Sequence, residues 1–581
     1  MKPILSTIII ITIFLFSLTS AMAQVDSSLV KEVEVVKAYM PSVANAQKIS
    51  ANPLISDTIT YTPEFDYQIY SREIPIDKSI NHLPVVKLGA LPRYSSNIGH
   101  LRAGFGNALT PYGELFINNS PTRNTDFGMH LYHFSSQPTV KINNDFKVKT
   151  PYSKNMARIF FRNNLRRAAL DWDLSYLRDR QNYYGFPETD SLIYVHQELN
   201  SETLNMKQVF STVSAKTNIR NTNARANLDY NIGLNYNYLW NATGQSSHHA
   251  GYNGLFSRKY RSHNFNLNTY FDYYNDLNIE HNFDETLTNH QFFNVKMSPD
   301  IFLKRNNIEL LAGFNLATLI GADSILMWHI SPKIDFTYNP LDGALSLFAG
   351  ANGGFNANNY MQAYQNNQYM NYMLDLKPSE EIINIYGGFK GTISNAIAYK
   401  FSVAYSINQN EAYFYQQRNE SARDTIVQNM FSADYDDVNR LTLGGKLRYS
   451  KNNVTIDLRG NYYVYESKYL RTLSHMPDFD AELNALVAIT PKITANLNAT
   501  VIGPREAIYK QNRFFTTPFD EPIEVHHLNT IINISLGADY ALSNKLNFFI
   551  NAQNILNQNY EYWHGYNSPG LLIMLGARYT F

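Results

Sequence analysis

The sequence contains no cysteine, so no disulfide braces the chain. After residue 23 it has no apolar run long enough for a helical span, and its mean hydropathy is −0.32. A bundle of membrane-crossing helices does not read this way. It has no excess of either charge, with 49 basic and 49 acidic residues, so a basic nucleic-acid surface is not indicated. It shows no repeat of fixed period, which speaks against a propeller array. The usual catalytic signatures are missing too: there is no phosphate loop, no His-Glu-x-x-His helix and no Gly-x-Ser-x-Gly elbow. Two histidine pairs, His248-His249 and His526-His527, make poor chelates if they lie on strands, because adjacent strand residues point to opposite faces. Asp434, Asp436 and Asp437 lack the glycine and closing glutamate of a calcium loop. The chain is therefore read as a non-enzyme, with no cofactor and no metal set.

The opening residues do carry a signal. Met1-Lys2, an apolar stretch from Ile8 to Leu18 and then Ala21-Met22-Ala23 have the form of a secretory leader over residues 1–23, with Gln24 as the first mature residue. Residues 24–96 are punctuated by Pro41, Pro53, Pro63, Pro75, Pro84 and Pro92. Proline blocks regular ladders, so this stretch is expected to be extended and to lie in the periplasm or the lumen.

From about residue 97 to residue 581 the rhythm changes to strict alternation. Leu571, Ile573, Leu575, Ala577, Tyr579 and Phe581 share one parity, and Leu546, Phe548, Ile550 and Ala552 do the same one strand earlier. In residues 263–274, Phe265, Leu267, Phe271 and Tyr273 alternate with Asn264, Asn266, Asn268 and Asp272. Period two is the signature of strands with one apolar and one wet face. Aromatics make up 14% of the chain, with 42 Tyr and 34 Phe, enough for belts at two membrane interfaces. About twenty-two such strands can be placed, an even number as bacterial single-chain barrels have. Short turns such as Asn306-Asn307 and Lys451-Asn452-Asn453 alternate with longer polar segments near 136–155, 179–206, 239–248, 275–288, 356–380, 409–437, 465–477, 503–526 and 554–570. The expected fold is all-β: a transmembrane antiparallel β-barrel behind an extended N-terminal segment. With long loops outside, both chain ends face the periplasm of a Gram-negative cell.

The final strand ends on Phe581, with Tyr579 two residues before it. Ahead of it runs Asn554-Ile-Leu-Asn-Gln-Asn-Tyr-Glu-Tyr-Trp-His-Gly-Tyr-Asn-Ser-Pro-Gly570. This ending resembles the close of TonB-dependent receptor barrels. The run Val30 to Tyr39, with Val33, Glu34, Val35 and Val36 at its centre, is similar to a segment near the start of many such receptors; the plainer reading of the residues is an edge strand or tether. The resemblance covers the barrel and departs in front of it, where 24–96 is short and irregular for a folded plug. It implies transport of a polar solute across the outer membrane. The alternative is a structural or accessory subunit of a larger outer-membrane assembly. The partners implied are outer-membrane lipid and either a periplasmic energy-coupling protein or other outer-membrane proteins.

Two groups are candidate sites. Arg158, Arg162 and Arg166 face Asp171 and Asp173 across one hairpin at lumen parity. Such a set is either an ion ladder holding the wall or a ring selecting charged solutes. The loop from Tyr360 to Met373 contributes Tyr360, Tyr364, Tyr369 and Tyr372 among asparagines and glutamines. It is either a grip on a ligand or partner, or a lid over the lumen.

Overall fold

The computed structural model describes residues 98–581 except 123, 142–146, 186–205, 224–225, 262, 280–286, 322–325, 372–373, 375, 421–424, 471 and 514–522. The leader, the 24–96 segment with Val33, Glu34, Val35 and Val36, and Tyr372 lie outside the described residues.

Twenty-two strands form one closed wall. They are β1 (Gly99–Gly106), β2 (Thr110–Thr122), β3 (Thr125–Ser136), β4 (Tyr152–Asn164), β5 (Ala168–Tyr183), β6 (Met206–Asn221), β7 (Asp229–Asn241) and β8 (Ser246–Tyr260). There follow β9 (His263–Ile279), β10 (Leu287–Arg305), β11 (Ile308–Gly321), β12 (Leu326–Leu341), β13 (Leu345–Asn356), β14 (Ser379–Ser394) and β15 (Ile397–Glu420). The last are β16 (Thr425–Lys451), β17 (Val454–Ser467), β18 (Phe479–Thr490), β19 (Ile493–Ile502), β20 (Ile531–Ala541), β21 (Leu546–Gln553) and β22 (Leu572–Thr580). Each pairs antiparallel with its neighbours in sequence, and β22 returns to β1 in the register Gly104↔Gly576. At this seam the Ile98 N–H donates to the Phe581 carbonyl at 2.6 Å and the Phe581 N–H donates to the Gly99 carbonyl at 3.0 Å. Closure leaves no unpaired strand edge, which is what lets strands stand in hydrocarbon.

The alternation has the expected sense. Trp172, Leu174 and Tyr176 of β5, Phe548 and Ile550 of β21, and Leu575 and Tyr579 of β22 are exposed on the outer face. The opposite parity lines the lumen with polar groups joined to one another: Asn266 and Asn268 donate to Asp300 at 2.7 and 3.1 Å, and His249 meets Asp272 at 2.9 Å. His248 faces the other way, against Tyr238, so the first histidine pair is split across the wall.

Aromatic rings on the inner face pack over glycines of adjoining strands. Phe549 is 3% exposed and covers Gly104 and Gly576 at the seam, with the Arg102 guanidinium 4.1 Å from its ring centre. Phe160 covers Gly128 in the same manner.

All connections at one end are short, among them 165–167, 306–307, 395–396, 452–453 and 491–492, and the start of β1 and the end of β22 lie at this end. Asn306 and Asn452 turn there with φ of 50° and 52°, left-handed values that asparagine tolerates. The opposite end carries the long connections 137–151, 357–378, 468–478, 503–530 and 554–571.

Three sequence expectations need correction. Residues 239–248 are not a long loop: β7 runs to Asn241 and β8 resumes at Ser246, the turn made through Gly244 at φ 93°. Residues 409–437 are mostly strand, because a register shift at Asn408/Glu411, with Asn410 at φ 52°, lets β15 and β16 continue pairing past their polar runs. The strand expected from Asn223 begins at Asp229 instead.

Candidate functional site: the covered mouth and the lumen wall

The connection 357–378 turns inward from the rim. It carries one short helix, α1 (Tyr360–Asn366), started by a capping box in which the Gln362 N–H donates to the Asn359 side chain at 2.8 Å and the Asn359 N–H donates back at 3.2 Å. Tyr360 is 1% exposed: its hydroxyl accepts from the Asn241 amide at 2.8 Å and its N–H donates to Asp276 at 3.0 Å. The Tyr364 hydroxyl donates to Asp179 at 2.7 Å, and its ring stacks on Phe210 at 4.1 Å. The Tyr183 hydroxyl reaches the carbonyls of Gln368 and Met370 at 3.1 and 3.0 Å.

The same connection reaches the far side of the barrel. The Asn371 N–H donates to the Phe431 carbonyl at 2.7 Å, the Phe431 N–H to the Tyr369 carbonyl at 3.0 Å, and the Tyr369 ring stacks on Tyr566 at 3.6 Å. Phe210, Leu239, Tyr360, Ala363, Met370 and Leu374 form a buried apolar cluster at this crossing. The connection is thus bonded to β5, β7, β9, β16 and the 554–571 loop and crosses the mouth. Three of the four tyrosines read from the sequence, Tyr360, Tyr364 and Tyr369, take part in it. The sequence did not point to Tyr183, Asn241, Asp276, Phe431 or Tyr566, because each sits on another strand end or loop, far away in the chain, and no local pattern marks it.

A second lock joins loops at the same, long-loop end. The His475 N–H donates to the Glu506 carbonyl at 2.6 Å, its Nε2 accepts the His564 N–H at 3.2 Å, and its ring meets Trp563 at 4.8 Å. Because Nε2 accepts, the proton sits on Nδ1, which is 2.8 Å from Ser474 Oγ. Burial, then the charges of Arg505 and His564, push His475 down to about 3. A histidine lowered in the docked state costs nothing above its ordinary value of 6.5 and opposes docking below it. Loop docking is therefore expected to be complete above pH 6.5 and to weaken as pH falls from there toward 3, by about 2 kcal/mol at pH 5. Hydrogen exchange of residues 468–478 at pH 7.5 and pH 5 measures this, and His475→Gln should flatten the difference.

The charge set on β4 and β5 is brought together only in part. Arg162 meets Asp171 at 2.5 Å and Arg158 meets Asp173 at 2.5 Å. Arg166 lies exposed in the turn 165–167 and meets neither aspartate, because the hairpin reverses one residue before its parity would apply. Asp171 and Arg162 are 26% and 45% exposed, so their pairing is worth about 0.5–1 kcal/mol. Asp171→Arg should destabilise the barrel by about 1 kcal/mol, and adding Arg162→Asp should restore most of it. Urea titration of the four members of this cycle checks the coupling, and strictly additive losses would remove it.

Chambers remain in the lumen among the described residues. One of about 840 Å³ lies on the β4–β7 side and is lined by Asp179, Lys216, Tyr364, Tyr369 and Tyr566. One of about 800 Å³ lies on the β10–β16 side and is lined by Lys296, Lys333, Glu381, Glu411 and Arg440. Asn366, Tyr562 and Trp563 belong to both walls, so the inward loops partition the lumen. A third, of about 750 Å³, lies over the Arg158–Asp173 and Arg162–Asp171 pairs.

No protein-family model and no curated protein sequence matches the chain. Solved structures do. The siderophore receptor PirA from Acinetobacter baumannii superposes with a TM-score of 0.60 at 10% identity, over 83% of this chain and 80% of that one. The ferric-catecholate import receptor Fiu from E. coli K12 gives 0.61 at 11% identity, over 84% and 82%. The pyoverdine outer-membrane receptor FpvA from Pseudomonas aeruginosa PAO1 gives 0.61 at 12% identity, over 83% and 78%. With its closed wall, apolar outer face and polar lumen, the chain has the fold of these outer-membrane β-barrel receptors.

Proposed function

We propose that this protein is an outer-membrane receptor-type barrel that admits a polar solute from the outer face. The observation that carries the reading is the lid: a wide lumen with a hydrogen-bonding wall is covered at its long-loop end by 357–378, which is tied to both sides of the mouth. A wall of amides and paired charges suits a hydrated solute, and a tied lid suits admission on demand over free diffusion. The likeness to receptors described as importing siderophores supports solute import as the class of activity. In this reading the short-turn end and both chain ends face the periplasm. The run with Val33, Glu34, Val35 and Val36 has the alternating sequence that can add as a strand to a partner's sheet, and a periplasmic coupling protein is the partner this reading calls for.

The thoroughness of the lid's packing favours a second reading, a structural subunit of a larger outer-membrane assembly whose lumen stays shut. Planar-bilayer conductance separates the two. Replacing 360–371 with a short Gly-Ser linker should raise conductance severalfold if the lid gates a pathway. Unchanged conductance, together with other outer-membrane proteins retained through gentle detergent extraction, would favour the structural subunit.

A further inference from the structure

The chamber on the β10–β16 side has an unusual charge inventory. Lys333 is held by Asp300 at 2.6 Å, and Arg440 by Glu411 at 3.0 Å. Glu380 is held by His329 at 2.6 Å, and Asp335 accepts the Tyr386 hydroxyl. Asp335 keeps that hydroxyl as its donor, and Lys296 and Glu381 likewise lack an ion pair. Among the described residues Lys296 makes no ion pair and no hydrogen bond; its ammonium lies beside Gly354, and the Tyr270 ring centre is 6.0 Å away. Among the described residues Glu381 makes no ion pair; the Asn384 amide hydrogen-bonds it, and the charges of Arg440, Glu411 and His329 act on it from farther off. The charges that act on Lys296 are those of Lys333 and Glu381.

A half-buried ammonium without a counter-ion is costly unless something supplies one, and the same holds for a carboxylate without a donor cation. We propose that Lys296 and Glu381 are the two poles of a binding site for a zwitterionic solute, such as a short unblocked peptide. Lys296, with Lys333 at its side, takes the solute's carboxylate, and Glu381 takes its ammonium. Lys333 and Arg440 are already ion-paired, and Glu380 and Asp335 already hold hydrogen-bond donors, so discrimination falls on Lys296 and Glu381. A chamber of about 800 Å³ is of the size that holds a small ligand. Trp563 and Tyr562, on the same wall, offer apolar surface to what lies between the two charged ends. This inference rests on the transport reading and specifies its substrate class.

The test uses the full-length protein purified in detergent and titrated calorimetrically with trialanine, N-acetyl-trialanine and trialanine amide. Trialanine should bind at least tenfold more tightly than either capped form. Lys296→Met should abolish the preference over the amide and keep that over the N-acetyl peptide, Glu381→Gln should do the converse, and Lys296→Arg should keep both. Heat-modifiable gel mobility verifies that each variant is an assembled barrel. Equal binding of the three peptides, binding of none, or preferences untouched by Lys296→Met would overturn the proposal. Swelling of liposomes that carry the lid-replaced barrel, with arabinose outside, reads the transport reading separately. Swelling without peptide discrimination refutes the zwitterion site alone, whereas absence of swelling refutes the pathway itself.

Discussion

Tyr360→Ala should release the lid. The side chain is almost wholly buried, stands in the apolar cluster with Phe210 and Leu239, and its hydroxyl is the partner of the Asn241 amide. Truncating a buried aromatic side chain costs about 3–5 kcal/mol, and the Asn241 donor left behind adds to that. A change of this size moves the docked-to-open ratio by about a thousandfold. Tyr360→Phe loses one hydrogen bond and should cost only about 1 kcal/mol. Single-channel recording in planar bilayers is the measurement: frequent large openings are expected for Tyr360→Ala and rare ones for Tyr360→Phe. If both variants are as silent as the wild type, the lid does not control access.

Gly576→Val should block completion of the barrel. A Cβ at Gly576 would collide with the Ala103 carbonyl across the seam and with the Phe549 ring above it. The ring can move; the carbonyl belongs to the ladder that joins β22 to β1. Overpacking a well-filled site costs about 1–3 kcal/mol, and a clash with backbone lies at or beyond the upper end. The variant should remain in the slow-migrating, unassembled form on heat-modifiable gels after refolding into lipid vesicles. Adding Phe549→Ala should relieve only part of the defect, because the collision with Ala103 remains. Normal assembly of Gly576→Val would mean that the seam is looser than its register implies.

Most of the wall was legible before any coordinates, for a physical reason. A strand between lipid and a wet lumen must alternate, and residues such as Phe265, Asn266, Leu267 and Asn268 satisfy that condition in the one-dimensional text. Turn chemistry at Asn306-Asn307 and Asn452-Asn453 fixed where strands reverse. Polar extensions misled the reading: β15 and β16 continue through Asn408–Glu411 by a bulge, and acidic residues such as Asp434 and Asp436 look like loop when their strand is no longer in lipid. The site was less legible. Parity found Arg158, Arg162, Asp171 and Asp173, but a residue inside a turn has no parity, and Arg166 was lost to that. Tyrosine and asparagine enrichment singled out the 357–378 connection, yet nothing local ties Tyr360 to Asn241 and Asp276 or Tyr369 to Tyr566. The unpaired state of Lys296 is a property of its neighbours across strands, which only the register supplies.

The twenty-two wall strands pair with their neighbours in sequence and close at the seam, so the ring has no privileged starting point. The Ile98 N–H already touches the Phe581 carbonyl at 2.6 Å, so a brief linker could fuse those two positions. New ends could then be cut at the tight reversal 452–453, with the same set of ladders retained. Such a circularly permuted chain would begin with Val454–Ser467 and end with Thr425–Lys451. Which strand the membrane receives last would then be a matter of where the gene is opened, and the order of insertion could be varied while the finished wall stays the same.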